Sequence, residues 1–230
     1  MMDMPGVAHF KGEGEGIGAN IGLTWKISKK QTLGLAYRSP VKVDYDGDFE
    51  VSNVPAPMGM MVSPRSDFKT SVEFPDIVGL GYAVRITDDL NLGAEVEWIQ
   101  FSRFDSLKLD VGQNASLLPA STVPENWDDS WTAGIGAAWR IAPEWTIRGG
   151  YIYMQSPVPD ETLAPTLPDS DQHVISAGLG YRKGFQAVDL SYGVALNQKR
   201  TISNNVNPAY NGEYDVKPSH MVQIAYGISF

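Results

Sequence analysis

From Trp131 to Ile141 every second residue is apolar: Trp131, Ala133, Ile135, Ala137, Trp139, Ile141. The residues between them are Thr132, Gly134, Gly136, Ala138 and Arg140. A period of two is the mark of a strand with one apolar face. Ala142, Pro143 and Glu144 make a short turn, and the alternation resumes through Trp145, Ile147, Gly149, Tyr151 and Tyr153. This hairpin is followed by a long polar loop, SPVPDETLAPTLPDSD.

The same grammar runs along the rest of the chain. Residues 1–16 read as irregular, with Gly12, Gly14 and Gly16 marking a bend or bulge. Ile17 to Ile27 is the first clear strand, and SKKQ turns the chain. Leu33 to Val51 then alternates over a length greater than a bilayer needs at about 3.3 Å per residue, so this strand is expected to project beyond one. Residues 53–69 read as a long loop. Strand three carries Val72, Phe74, Val78, Leu80, Tyr82, Val84 and Ile86; strand four, Leu90 to Trp98, loses phase between Ile99 and Asp105, which reads as a bulge. A second long loop runs to about Asn126. After the central hairpin come strands from Ile175 to Tyr181 and from Val188 to Leu196, joined by a short turn. A loop at about 199–214 leads to a last strand ending Val222, Ile224, Tyr226, Ile228, Phe230.

About nine strands result, with short turns and long loops in strict alternation. A soluble β-sandwich also alternates. Short turns on one edge and long loops on the other are instead the pattern of a membrane barrel. Trp25, Trp139, Trp145, Tyr181 and Phe185 all fall near the short-turn edge, as an interfacial girdle does. The fold class expected is all-β: an antiparallel transmembrane β-barrel of the outer membrane, here a partial barrel of about nine strands.

Composition narrows this. The mean hydropathy is -0.20, which cannot argue against barrel strands, because they alternate rather than run apolar. No stretch has the roughly 18–20 apolar residues of a spanning helix. There is no Cys, which excludes a disulfide scaffold or a Cys-ligated metal. The net charge of -9 argues against nucleic acid as a partner. MMDMPGVAHF lacks the basic and apolar regions of a signal peptide, so the expectation is that one was removed or that the chain is a piece of a longer one.

The central hairpin and its loop carry a resemblance. Asn126, Trp127, Asp129, Trp131, Arg148, Gly150, Tyr151, the run Ser156 to Asp160, Pro165, Pro168, Asp169 and Asp171 resemble the FadL family of outer-membrane barrels. Weaker similarity runs from about Gly12 to Phe230. Gln172 and His173 stand where the family usually has Arg. The resemblance implies import of long-chain fatty acids or other hydrophobic molecules across the outer membrane of a Gram-negative bacterium, by passive ligand-gated diffusion. It implies a barrel about twice this length, of which residues 1–230 are a single C-terminal portion, with the N-terminal plug and first strands absent. An even strand count with both ends on the periplasmic side points to the same truncation. The implied partners are a fatty acid or hydrocarbon ligand, membrane lipid and lipopolysaccharide, and the barrel assembly machinery.

No enzyme site stands out. His9, His173 and His220 lack metal-ligand spacing, there is no G-x-S-x-G, and the Gly12–Gly16 run lacks the Lys of a phosphate loop. Neither catalysis nor a cofactor is expected. The polar strand faces place Arg38, Lys42, Asp44, Glu73, Arg85, Glu95, Glu97, Arg140, Arg148, Arg182 and Asp189 toward a lumen. Charges there brace a wet interior by pairing across strands. The sharper expectation is that Arg38, Lys42 or Arg148 receives a ligand carboxylate, since a fatty acid needs a cation at one end of an apolar slot. Met58, Met60 and Met61 in the 53–69 loop offer flexible thioethers for capture of variable hydrophobic ligands. The alternative to a hydrophobic-compound transporter is a general porin, or a structural barrel, for hydrophilic solutes.

Overall fold

The computed structural model describes residues 7–54, 63–117 and 121–229. Its wall is a nine-stranded antiparallel sheet. In chain order the wall strands are β2 (Asn20–Lys26), β3 (Gln31–Arg38), β6 (Ile77–Arg85), β7 (Leu90–Ile99), β10 (Ser130–Ala142), β11 (Trp145–Met154), β12 (Gln172–Lys183), β13 (Gln186–Asn197) and β16 (Ser219–Ile228). Each pairs with its neighbours in that order, and β2 and β16 are the two edges. The alternation read from the sequence is therefore the wall.

The register carries the apolar face from strand to strand. Leu179, Leu190 and Ile224 share one row, and Trp25, Leu33, Tyr82, Ala94 and Ile135 another. These residues do not meet a second layer: Leu23 is 65%, Trp139 52% and Ile224 72% exposed. A sandwich would bury them; a barrel wall presents them to hydrocarbon. The opposite face is concave. It encloses about 970 Å³ and is lined by small and polar residues, among them Thr32, Gly81, Gly136, Ser176 and Gln223.

A second sheet of five strands departs from the long-loop end. It contains β1 (Val7–Glu15), β4 (Val41–Ser52), β5 (Arg65–Phe74), β8 (Ser106–Asp110) and β9 (Thr122–Pro124), in the order β1-β4-β5-β8-β9. The strand expected to run unbroken from Leu33 to Val51 is thus two, β3 and β4, divided at Ser39–Pro40. The third expected strand is likewise β5 and β6, divided at Pro75–Asp76. Proline cannot donate to a ladder, so these are the places where the strands leave the wall. The phase slip after Ile99 is not a bulge. Phe101–Arg103 form a 3-10 turn, after which β8 joins the other sheet. Arg103 fastens this seam, bonding Asp76 at 2.8 Å and Glu73 at 3.0 Å.

Two further expectations are corrected here. Part of residues 1–16 is regular, because β1 pairs with β4 from Val7↔Ser52 to Glu15↔Asp44. The glycines there are not a bend. They are contact points: Val43 and Tyr45 side chains lie against Gly14, and at Gly47 an added methyl group would fall 2.0 Å from the Lys11 carbonyl oxygen. The loop expected at 53–69 ends sooner, since β5 starts at Arg65. The small core of this sheet is Phe49, Phe68 and Val111, with Val51 and Leu109 against it.

Candidate functional site

The concave face is built on glycine. Inward positions of neighbouring strands include Gly34, Gly81, Gly93, Gly134, Gly136, Gly150, Gly178 and Gly180, so the lumen is wide where a larger residue would fill it. Glu95 leans over Gly134 and Glu97 over Gly79. Arg148 does not stand free: its guanidinium lies 2.7 Å from Asp189 on the far side of β12. Gly180 makes this bridge possible, because a methyl there would sit 2.6 Å from Asp189 Oδ1 and 2.7 Å from Arg148 Nη1.

Lys42 is on β4, outside the wall, and pairs with Asp44 at 3.1 Å. Asp44 is held below the usual carboxylate range by the Ser71 hydroxyl and by Lys42. Glu73 also belongs to the five-stranded sheet. Arg38 is different. It is the last residue of β3, across from Asn20 and Ile77, at the long-loop end of the concave face. The ion pairs among the described residues use Lys42, Arg65, Lys69, Arg103, Arg140, Arg148, Lys199 and Arg200. Arg38 is not among them. Met58, Met60 and Met61 lie outside the described residues.

The polar loop after the central hairpin is folded against a small hairpin, β14 (Arg200–Ile202) and β15 (Gly212–Tyr214). Ser156 donates through its hydroxyl to Asp169 at 2.6 Å and through its amide to Asp171 at 2.9 Å. Tyr153 donates to Asp171 at 2.6 Å. Arg200 joins Asp160 to the Asp169 carbonyl. Asn205 gives both amide hydrogens to carbonyls, of Asp160 and Leu163, each at 2.9 Å. Beneath lie Val158, Leu163 and Ile202, packed with Trp127 and Tyr214. Burial pushes the Glu125 carboxyl up, opposed by the bond it accepts from Trp127 Nε1. The Ser, Pro and Asp residues of this loop are thus fasteners of a rigid cap. Arg200 and Asn205, which complete it, carried no signal in a stretch that reads as loop. Replacing Arg200 with Met is expected to leave Asp160 and the Asp169 carbonyl without their partner and to speed proteinase K cleavage within 155–171 several-fold. Unchanged cleavage would show that the apolar cluster alone holds the cap.

A wall of nine antiparallel strands, apolar outside and glycine-rich within, meets its match in known proteins. The model of the family described as outer membrane protein transport protein (OMPP1/FadL/TodX) covers residues 3–230. The chain belongs to the FadL family. The long-chain fatty acid transport protein of Escherichia coli O6:H1 is 29% identical over 185 residues, covering 76% of this chain and 41% of that one. The protein of the same description from Salmonella typhi is 24% identical over 210 residues, covering 88% and 47%. A solved FadL homologue of Pseudomonas aeruginosa superposes with a TM-score of 0.74 at 22% identity, over 90% of this chain and 50% of that one. The toluene transporter TbuX of Ralstonia pickettii superposes with a TM-score of 0.62 at 23% identity, over 85% and 46%. The chain spans about half the length of the curated relatives it matches. The FadL family is one of outer-membrane transport proteins, not of enzymes. The nine strands are accordingly part of a transmembrane β-barrel, with the apolar face toward the hydrocarbon of the outer membrane.

Proposed function

We propose that this FadL-family chain forms part of a passive outer-membrane transporter for long-chain fatty acids or other hydrophobic small molecules. The carrying observation is Arg38. Among the described residues it is a cation without an ionic partner, at the long-loop end of a lumen whose wall is mostly glycine, alanine and short polar side chains. Such a lumen leaves room for a bulky apolar tail, and the guanidinium offers a bidentate seat for a carboxylate. Lys42 and Arg148 are each occupied by a carboxylate of the chain itself, so Arg38 is the favoured member of the three. Met58, Met60 and Met61 supply the capture surface in this reading. Lipopolysaccharide around the outer rim and the barrel assembly machinery complete its partners.

Uptake of radiolabelled oleate by cells that depend on this protein is the test. Arg38→Gln is expected to lower oleate uptake about tenfold, roughly the 1.4 kcal/mol of one charge-assisted bond, and to leave uptake of a neutral hydrocarbon unchanged. Swelling of proteoliposomes in sugars, with no oleate uptake, would establish the porin instead.

A further inference from the structure

The cavity of about 970 Å³ on the concave face holds a charge to which the transport reading gives no role. The charged residues lining it are Glu95, Arg148 and Asp189. Arg148 and Asp189 hold each other at 2.7 Å and cancel. Glu95 is left over, because it takes part in none of the ion pairs among the described residues. Its side chain lies over Gly134, where an added methyl group would meet Glu95 Oε1 at 3.2 Å and Ile152 Cγ1 at 3.4 Å. A glycine and an apolar side chain thus flank the carboxylate, and neither offers it a side-chain donor.

Register sets this charge apart from Arg38. Arg38 pairs with Ile77, and Ile77 with Ile99. From Ile99 to Glu95 is four residues along β7, about 13 Å. Glu97 stands between them on the same face, leaning over Gly79, and adds the same sign. On the other side of Glu95 the cavity wall is uncharged, with Gly93, Gly136, Gly150 and Ser176, until Arg148 and Asp189 are reached. Along the lumen from the long-loop end the order is therefore a cation, carboxylates, and then a neutral pair. An ionised carboxylate inside the cavity meets a like charge and no free cation on its lining. An uncharged tail meets neither, since Coulomb repulsion acts on the ion alone.

We propose that Glu95 is a specificity-determining residue, which bars an ionised carboxylate from the cavity and admits an uncharged or cationic body. An acid ligand is thereby held with its head at Arg38 and its tail in the cavity. The ligand class, an apolar tail with or without an ionised head, rests on the proposed transport function; the exclusion rests on the unpaired carboxylate in the cavity wall.

The test uses the chain assembled in a membrane with strands that pair β2 and β16, then taken into zwitterionic detergent. Arg38→Gln is present throughout, so that the long-loop end contributes no charge. Laurate, dodecanol and dodecylamine share one tail, and each displaces the fluorescent methyl ester of cis-parinaric acid. In low salt and at mildly alkaline pH, where laurate is ionised and dodecylamine protonated, the amine is expected to bind most tightly and laurate least. Glu95→Gln is expected to tighten laurate about threefold, to weaken dodecylamine about threefold and to leave dodecanol unchanged, as for one charge about 7 Å away in water. Glu95→Asp should keep the original order, which ties the effect to charge rather than volume. High salt should shrink it, because exposed charges are screened. A laurate affinity that Glu95→Gln leaves unchanged, a dodecanol affinity that moves with it, or no displacement by any of the three overturns the assignment. Cells that fail to take up oleate overturn the transport reading and leave the order of the three tails standing.

Discussion

Aspartate at Leu190 or Ile224 is expected to stop this sheet from assembling in a membrane, whereas aspartate at Ser191 is expected to be tolerated. Leu190 and Ile224 are direct partners across β13 and β16, and Leu179 extends their row into β12. They are 47% and 72% exposed and make no apolar core. Their environment is the bilayer. A charge facing lipid near the midplane costs about 2–4 kcal/mol for Arg or Lys and somewhat less for Asp. That is a large share of the roughly 5–15 kcal/mol that holds a typical domain together. Ser191 is one residue along, on the concave face, paired with Gly178 and Gln223. A carboxylate there stays in water and lies on the same face as Arg148. Heat-modifiable mobility of the three variants on a gel of outer-membrane fractions, each produced together with strands that pair β2 and β16, measures the difference. Equal yields for all three variants would contradict the assigned faces.

The second large effect concerns the sheet edges. Among the described residues β2 pairs only with β3 and β16 only with β13. The other edge of each strand presents a row of backbone N–H and C=O groups. In water these would be hydrated; in hydrocarbon each costs several kcal/mol. Summed over half the residues of two strands, the penalty exceeds any stability the wall can supply. The 230-residue chain, produced by itself, is therefore expected to aggregate or remain outside the bilayer. Strands that pair both edges should rescue it, giving a monomeric band that migrates differently with and without heating. A heat-resistant monomer from the 230 residues alone would mean that β2 and β16 close on each other.

Much of the wall was legible before any fold was known, because period-two alternation is written into each strand locally. Trp131 to Ile141 announces its apolar face, and the Pro143 turn announces its hairpin. One register then follows from the next, since a slip by one residue would turn every apolar side chain to the wrong side. What alternation cannot say is which sheet a strand joins, because that is decided by partners distant in sequence. Ser39–Pro40, Pro75–Asp76 and Phe101–Arg103 keep the apolar rhythm or disturb it slightly. Yet at each the chain passes between the nine-stranded wall and the five-stranded sheet, and Arg103 reaches Asp76 and Glu73 to fix the seam. The Gly12–Gly16 run reads as a bend, but Gly12 and Gly14 are ladder positions of β1, with Val43 and Tyr45 of β4 against Gly14.

The candidate site divides along the same line. Parity along a strand puts Arg38 and Arg148 on the inward face from the sequence alone, but it cannot tell that Lys42 belongs to the five-stranded sheet instead. Nor can it tell which cations are free. Arg148 is tied to Asp189 from two strands away, over a glycine that only the register brings beneath it. Among the described residues Arg38 has no such partner. Pairing is a property of neighbours across the sheet, so tertiary structure alone separated a structural arginine from one available to a ligand.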